Sequence, residues 1–319
     1  MRFALRRAGA ALATLLLVSV FGFLAFSVVR GDPVTFALGL DATDEQIAAM
    51  RAETGLDRSL PVRYASWLAR FVTGNMGYSL RFPGESVAGL IRERLPVSLT
   101  LAVMSLAIAA AIAVPASLFS VRRRGGPADR ITGVLTAVGI SIPNFFLGVL
   151  FIWIFGIGLR MFGVAVQIGP GDGIARIAAA LFFPALAVAV PNAAILANFL
   201  RASLFKEQTA DYFRTARGKG ATMRQAIRRH ALRNALIPAV TVTAMIVAET
   251  FSGSIIIEQV FAVPGLGRLL VTAITSRDYP VVQALVVLIA AVVVAANTLA
   301  DIAIRIIDPR IRLGAEQGG

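Results

Sequence analysis

The chain of 319 residues is 57% hydrophobic and only 15% charged, with a mean hydropathy of +0.77. Soluble domains run at about 45–50% apolar and about 25% charged, so this composition argues against an ordinary soluble enzyme and for a membrane protein. Zero cysteines remove disulfides, thiolate-bound zinc, iron–sulfur clusters and a cysteine nucleophile together.

Crossing a hydrocarbon core takes about 20 predominantly apolar residues as a helix. The first such stretch, 8–29, follows a tip carrying Arg2, Arg6 and Arg7. It exceeds the apolar region of a signal peptide and lacks a clear cleavage site, so it is expected to be retained. Residues 30–94 hold eight arginines against eight acids. Helix-like patterning runs over 43–56 and 59–73, with Thr43 or Asp44 as N-cap and Pro61 acceptable in a first turn. Five more apolar stretches follow at 95–121, 131–159, 177–200, 235–257 and 279–300. Backbone groups in lipid must be satisfied within the element, and the period-2 alternation of barrel strands is absent, so all six read as helices. The expected fold is an all-α polytopic membrane protein with six transmembrane helices, kinked at Pro143, Pro184 and Pro191.

Charge placement orients the chain. With the N-terminus cytoplasmic, the inner segments are the N-terminal tip, the loop with Arg122, Arg123, Arg124 and Arg130, the basic stretch after 200, and the tail with Arg305, Arg310 and Arg312. These hold most of the 31 Lys and Arg, so the positive-inside rule puts both termini in the cytoplasm. The net charge of +13 is then topological, with an added pull toward anionic headgroups.

The most polar long stretch is DYFRTARGKGATMRQAIRRHALRNALIPAVT, residues 211–241. Glu207 and Asp211 near its start and later Arg and Lys suit a helix macrodipole, and Tyr212, Phe213 and Ala216 form a small apolar stripe. Gly218 and Gly220 permit a sharp turn before Thr222, an N-cap for a second helix through Arg224, Ile227, His230 and Leu232. The residues alone leave two readings open, a rigid handle for a partner or a solvated loop on anionic lipid. Nucleic-acid binding has no aromatic stacking platform in its favour. His230, the single histidine, reads as a helix residue facing a partner or solvent. Gly218-Lys219-Gly220 lacks the upstream glycine and the Ser/Thr of a phosphate-binding loop, so an ATP site of that kind is not expected on this chain.

Polar side chains within spans face a cavity or a partner helix, which nominates Asn144, Asn192, Asn198, Glu249, Gln283 and Asn297 for a translocation path or for interhelical bonding. Glu249 either lines the path or pairs with a neighbouring subunit. Pro264, Gly265 and Gly267 mark an outer turn after the fifth span. No metal-ligand cluster and no nucleophile–base pair can be assigned.

The basic stretch resembles the cytoplasmic coupling loop, the EAA loop, of permease subunits of bacterial ABC importers. Gly220 matches the loop's most characteristic position and Ala216 its second alanine. Arg214 and Thr215 replace Glu and Ala of the general pattern, and His230-Ala231-Leu232-Arg233 replaces I-x-L-P. Both departures are similar to the dipeptide/oligopeptide/nickel branch, which reads R-T-A-x-x-K-G and then H-A-L-R-N-A. The stretches RGDPV (30–34), GNMGYSL (74–80), EQVFAVPGLGRLL (258–270), RDYP (277–280) and DPRIR (308–312) agree along nearly the whole chain.

The resemblance implies a type I, MetI-like importer permease core at 95–308, with its coupling loop at 201–236. Before it come a first span and periplasmic segment at 1–94, and after it a cytoplasmic tail at 309–319. Asp211, Tyr212, Phe213, Arg214, Ala216, Arg217, Lys219 and Gly220 would meet an ATPase, and Pro264, Gly265 and Gly267 would sit at the external gate. The implied partners are a second permease, two ATPase subunits that carry ATP and Mg, and a periplasmic or lipid-anchored solute-binding protein in the bacterial inner membrane. Peptides are the expected solute, moved by alternating access without bond-breaking chemistry on this chain. The alternatives are nickel complexes or glutathione within the branch, or an ATP-independent secondary carrier, which would show clustered carboxylates and inverted repeats.

Overall fold

The computed structural model describes residues 2–28, 34, 42–54, 57–163, 165–169 and 171–307. RGDPV, apart from Val34, and DPRIR lie outside the described residues. The helices are α1 (Arg2–Val28), α2 (Asp44–Thr54), α3 (Leu60–Val72), α4 (Val87–Ser120), α5 (Pro127–Ser141), α6 (Asn144–Phe151), α7 (Ile174–Ala180), α8 (Phe182–Gln208), α9 (Asp211–Gly218), α10 (Met223–Ala226), α11 (Leu232–Val260), α12 (Leu266–Thr275) and α13 (Tyr279–Ile307). Two π-helical turns, Ile152–Gly158 and Ile227–Ala231, extend α6 and join α10 to α11. Among the described residues five helices are long and apolar enough to cross a membrane, and six if the bent pair α5–α6 is one span.

That pair is where the structure departs most from the sequence reading. The stretch 131–159, expected as one span, turns through 95° between Ser141 and Asn144. Pro143 has no N–H to continue the ladder, and its ring forces Ile142 into extended backbone at φ −88, ψ 122. The other two prolines behave differently. Pro184 lies in the first turn of α8, where a missing N–H costs nothing, and only Pro191 lies in the helix interior.

The chain divides into two compact units, residues 1–98 with 264–294, and 99–263 with 295–319. In the first, the aromatic face of α3 packs on α1. Tyr64 and Trp67 meet Phe23 at centroid distances of 5.5 and 6.0 Å, and Tyr64 shares a 2.8 Å hydrogen bond with Ser19. Thr43, rather than Asp44, caps α2, exchanging hydrogen bonds with Gln46, and Pro61 takes the expected first-turn place in α3. Val87, Leu90 and Ile91 of α4 bury against Leu266, Leu269, Val282 and Leu285.

This unit also brings together two of the quoted motifs. Residues 78–86 form a small hairpin, with Ser79 N–H donating to Glu85 O at 2.9 Å and Val87 N–H to Gly77 O at 3.0 Å. The fully buried Asp278 of RDYP accepts from the Ser79 hydroxyl and from the Leu80 and Arg81 N–H groups, at 3.1 and 3.3 Å for the two backbone donors.

In the second unit α8 is the central helix, lined by buried Ala185, Ala187, Ala189, Ala193, Ala194 and Ala197. Small residues let neighbouring backbones approach: a Cβ on Gly139 of α5 would stand 2.7 Å from that of Ala194. Ser117 of α4 donates to Ala197 O at 3.0 Å, adding a polar tie to α8.

Candidate coupling loop and polar residues of the spans

α8 does not stop at residue 200 but runs on to Gln208, whose Nε2 donates to Val121 O at 2.8 Å. The chain then turns into α9, with Asp211 in its first turn and Arg217 in its last, the charge order that complements a helix dipole. Phe213 is only 3% exposed and packs with Val121, Leu204, Ala226, Ile227 and Ala231. The stripe of Tyr212, Phe213 and Ala216 therefore divides. Phe213 anchors α9 to its own unit, Ala216 is half-buried, and Tyr212 stays on the surface beside Asp211, Arg214, Thr215, Arg217 and Lys219. What α9 offers outward is polar and cationic.

α9 ends in a left-handed cap. Gly220 takes φ +89, Gly220 N–H donates to Arg217 O at 3.0 Å and Ala221 N–H to Ala216 O at 3.2 Å. Gly218, also expected at the turn, is instead the last residue of α9 and does not take a positive φ. Thr222 caps α10 as expected and exchanges hydrogen bonds with Gln225. The helix continues through the π-turn into α11, so the second helix of the loop and the following span are one continuous element.

Tyr212 ties the start of α9 to both flanking helices. Its hydroxyl donates to Glu207 Oε2 and accepts from Asn234 Nδ2 at 3.1 Å. Burial, reinforced by the Glu207 carboxylate, raises the phenol's pKa above its ordinary value. The protonated donor is the form this site favours, so the contact is complete below the ordinary phenol range and lost only as pH rises through the raised value. A second group stands on the neighbouring loop. Asp129, buried in the first turn of α5, accepts from Ser120 Oγ at 2.9 Å, Gly125 N–H at 2.9 Å and Arg201 Nε at 2.8 Å.

The six polar side chains of the spans do not form one group. Asn144 donates to Gly253 O at 3.3 Å and its Oδ1 accepts from Phe145 N–H at 2.8 Å. Asn192 is buried and donates to Thr250 Oγ1 at 3.1 Å, joining α8 to α11. Both make the interhelical bonds that were one of their two readings. Asn198 and Glu249 are exposed, and Gln283 and Asn297 are half-buried; Gln283 belongs to the first unit and the other five to the second. On α11, Val242, Ile246 and Thr250 are buried, while Thr241, Met245 and Glu249, one residue or about 100° round the helix, share an adjacent exposed face.

The turn after α11 uses a residue that the sequence reading passed over. Ala262, at φ +54, is the left-handed residue, and Val263 N–H donates to Glu258 O at 2.8 Å. Gly265 is extended at φ −105, ψ −177 as N-cap of α12, and Gly267 is helical and buried. Neither glycine supplies the bend.

Residues 106–313 match the family of binding-protein-dependent transport system inner membrane components, and residues 1–102 match the N-terminal region of such membrane components. The chain belongs to this permease family. The chain is 36% identical over 308 residues, 97% of this chain and 98% of the relative, to the "probable peptide ABC transporter permease protein" of Sinorhizobium fredii. It is 34% identical over 313 residues, 98% of each chain, to the "dipeptide transport system permease protein" of Bacillus subtilis. The permease is thus a multi-pass membrane protein of the ABC transporter type, as the coupling-loop motif implied.

Four groups of this permease were not singled out from sequence: Asp129 with Arg201, Gln208, Asn234 as the partner of Tyr212 and Glu207, and Asp278 with Ser79. Asp129 is hidden among arginines, where it reads as one more solvated charge. For Asp278 a signal existed, because an acid immediately before a span is a natural N-cap.

Proposed function

We propose that this permease moves peptides across the bacterial inner membrane, paired with a second permease, two ATPase subunits that carry ATP and Mg, and a solute-binding protein. Support for peptides comes from what the relatives' names say of those proteins. Support for ATPase coupling comes from one observation above all: α9 is fixed inward by Phe213 while Arg214, Arg217 and Lys219 point outward from a turn between two apolar helices. A cationic face suits a groove lined by acidic groups and carbonyl oxygens. In this reading residues 201–236 and both termini are cytoplasmic, 1–94 contribute to the outer docking surface, and ATP-driven closure of the ATPases rocks the spans between inward- and outward-open states. Vesicles holding the permease pair, the ATPases and a peptide-loaded binding protein should take up peptide only with ATP. Uptake without the ATPases, driven by an ion gradient, would overturn the reading.

Topology has its own test. With the natural chain free of cysteine, Ser59→Cys and Lys219→Cys, both at exposed positions, report alone. An impermeant maleimide should label the first in whole cells and the second only after lysis; the reverse pattern would invert the orientation.

Glu249 lies on an exposed face of α11, next to the side that Thr250 turns to α8, and a carboxylate facing lipid costs about 2.5–3.5 kcal/mol. We therefore place it toward the water-filled path or the partner permease. Glu249→Leu is expected to lower ATP-driven uptake about tenfold while the complex still co-purifies. Wild-type uptake would remove Glu249 from the path.

A further inference from the structure

The carboxylate of Asp129 gathers three donors from three places. Ser120 closes α4, Gly125 sits at the tip of the loop to α5, and Arg201 stands where α8 runs on toward Gln208. Gln208 then donates to Val121 O, closing the same loop from the other side. Around these bonds, Arg201 and Arg124 both stack on Phe205, at 5.7 and 5.3 Å from the ring centroid. Val121 and Leu204, one from each side of the junction, are fully buried against Phe213 of α9. The loop 121–126 and the end of α8 are thus joined at both ends into one block, and that block is the seat of α9.

We propose that Asp129 is a positioning residue for energy coupling: it locks the 121–126 loop to the end of α8, so that a push on α9 is delivered to α4, α5 and α8 together. The inference rests on the assignment of α9 as the ATPase contact. Without the lock, α9 would still be held by Phe213 and could still meet an ATPase, but its seat would yield before the spans moved. A helix end gripped only by apolar contacts can slide. A buried carboxylate bound to a guanidinium, a hydroxyl and a backbone N–H fixes direction as well as distance.

Two variants and two readouts test this. Asp129→Asn keeps an acceptor for Arg201 but removes the charge and turns an amide N–H₂ toward Gly125 N–H. The double variant Asp129→Leu with Arg201→Leu removes both charges, so no unpaired ion is left buried. The first readout is a spin-label distance between Arg123→Cys and Thr215→Cys, both at exposed positions of the otherwise cysteine-free chain, in the assembled complex. The second is peptide transported per ATP hydrolysed in vesicles. Both variants should co-purify with the ATPases, broaden the distance distribution, and lower the transport-to-hydrolysis ratio about tenfold with hydrolysis retained. A distribution as narrow as wild type in the double variant would overturn the lock whatever the transport assay shows, and a broadened one with a wild-type ratio would overturn its role in coupling. If Asp129→Asn alone fails to assemble, the double variant decides on the same two readouts. Failure of the ATPase assignment itself would show differently, as wild-type vesicles without ATP-dependent uptake, and the distance readout would still stand.

Discussion

Asp278→Ala is expected to destabilise the unit formed by residues 1–98 and 264–294 by about 2–4 kcal/mol, because it strands the Ser79 hydroxyl and the Leu80 N–H and leaves the Arg81 N–H only its 3.2 Å bond to Ser79 Oγ. The Ser79 hydroxyl and the Leu80 and Arg81 N–H groups all aim at this one carboxylate, and Asp278 is fully buried. Its position is set by the end of α12. Arg277 takes φ +56, Asp278 N–H donates to Ala273 O at 2.8 Å, and Asp278 O accepts from Val282 N–H at 3.0 Å in the first turn of α13. Alanine would keep those backbone bonds and lose the side-chain ones. Ser79→Ala keeps the Leu80 and Arg81 N–H groups on the carboxylate and strands only the Phe82 N–H, which donates to Ser79 Oγ at 2.9 Å, so it should cost less, about 1–2 kcal/mol. Thermal unfolding of the purified permease in detergent, with protease sensitivity at Arg81 as a local probe, measures both. Equal effects of the two substitutions would mean that the backbone donors find other partners, and the carboxylate would lose its place as the centre of the hairpin.

Gly220→Val is the substitution with the largest expected effect on transport. The residue closes α9 at φ +89, where an L side chain costs about 1–2 kcal/mol and a β-branched one more. Nothing lies within 4 Å of a Cβ built there, so the penalty is conformational and not steric. Valine should therefore pull the backbone toward negative φ and re-aim α9 relative to Thr222 and the helix behind it, leaving the outward residues of α9 intact. Under the proposed function, the complex assembles and hydrolyses ATP while uptake falls at least about tenfold. Gly220→Asn is the control, because asparagine tolerates the left-handed region and its side chain has open space. Near-wild-type uptake with asparagine and loss with valine would assign the effect to φ. Equal loss with both would point to a partner surface that needs the bare glycine.

Much of this architecture is written locally. Long apolar runs fix the helices, because lipid admits no other way to satisfy the backbone. Thr43 with Gln46 and Thr222 with Gln225 are capping pairs three residues apart, visible in any window that short. Gly220, two residues before a capping threonine, reads as a helix end for the same reason. The coupling-loop motif carried the family assignment, since it is a short contiguous pattern.

Other features depended on which residues meet. In a membrane helix nearly every position is apolar, so hydrophobic periodicity does not tell an inward face from an outward one. Tyr212, Phe213 and Ala216 therefore looked like one stripe, and only the packing of Val121, Leu204 and Ile227 shows Phe213 turned inward. Pro143 announced a kink, but a 95° break needs the neighbouring helices to hold it open. At 258–267 the glycines drew attention, yet the left-handed residue is Ala262, which bears that strain because the chain must leave α11 there whatever its side chain prefers. The ion pair of Asp129 with Arg201 joins residues 72 apart, and the clasp of Ser79 on Asp278 joins residues 199 apart. Composition, spacing and capping set which segments are helices and what family they serve. Which charges are paired, and so which are left to face a partner, was decided by the tertiary structure, because the energy of a charge is set by its neighbours in space.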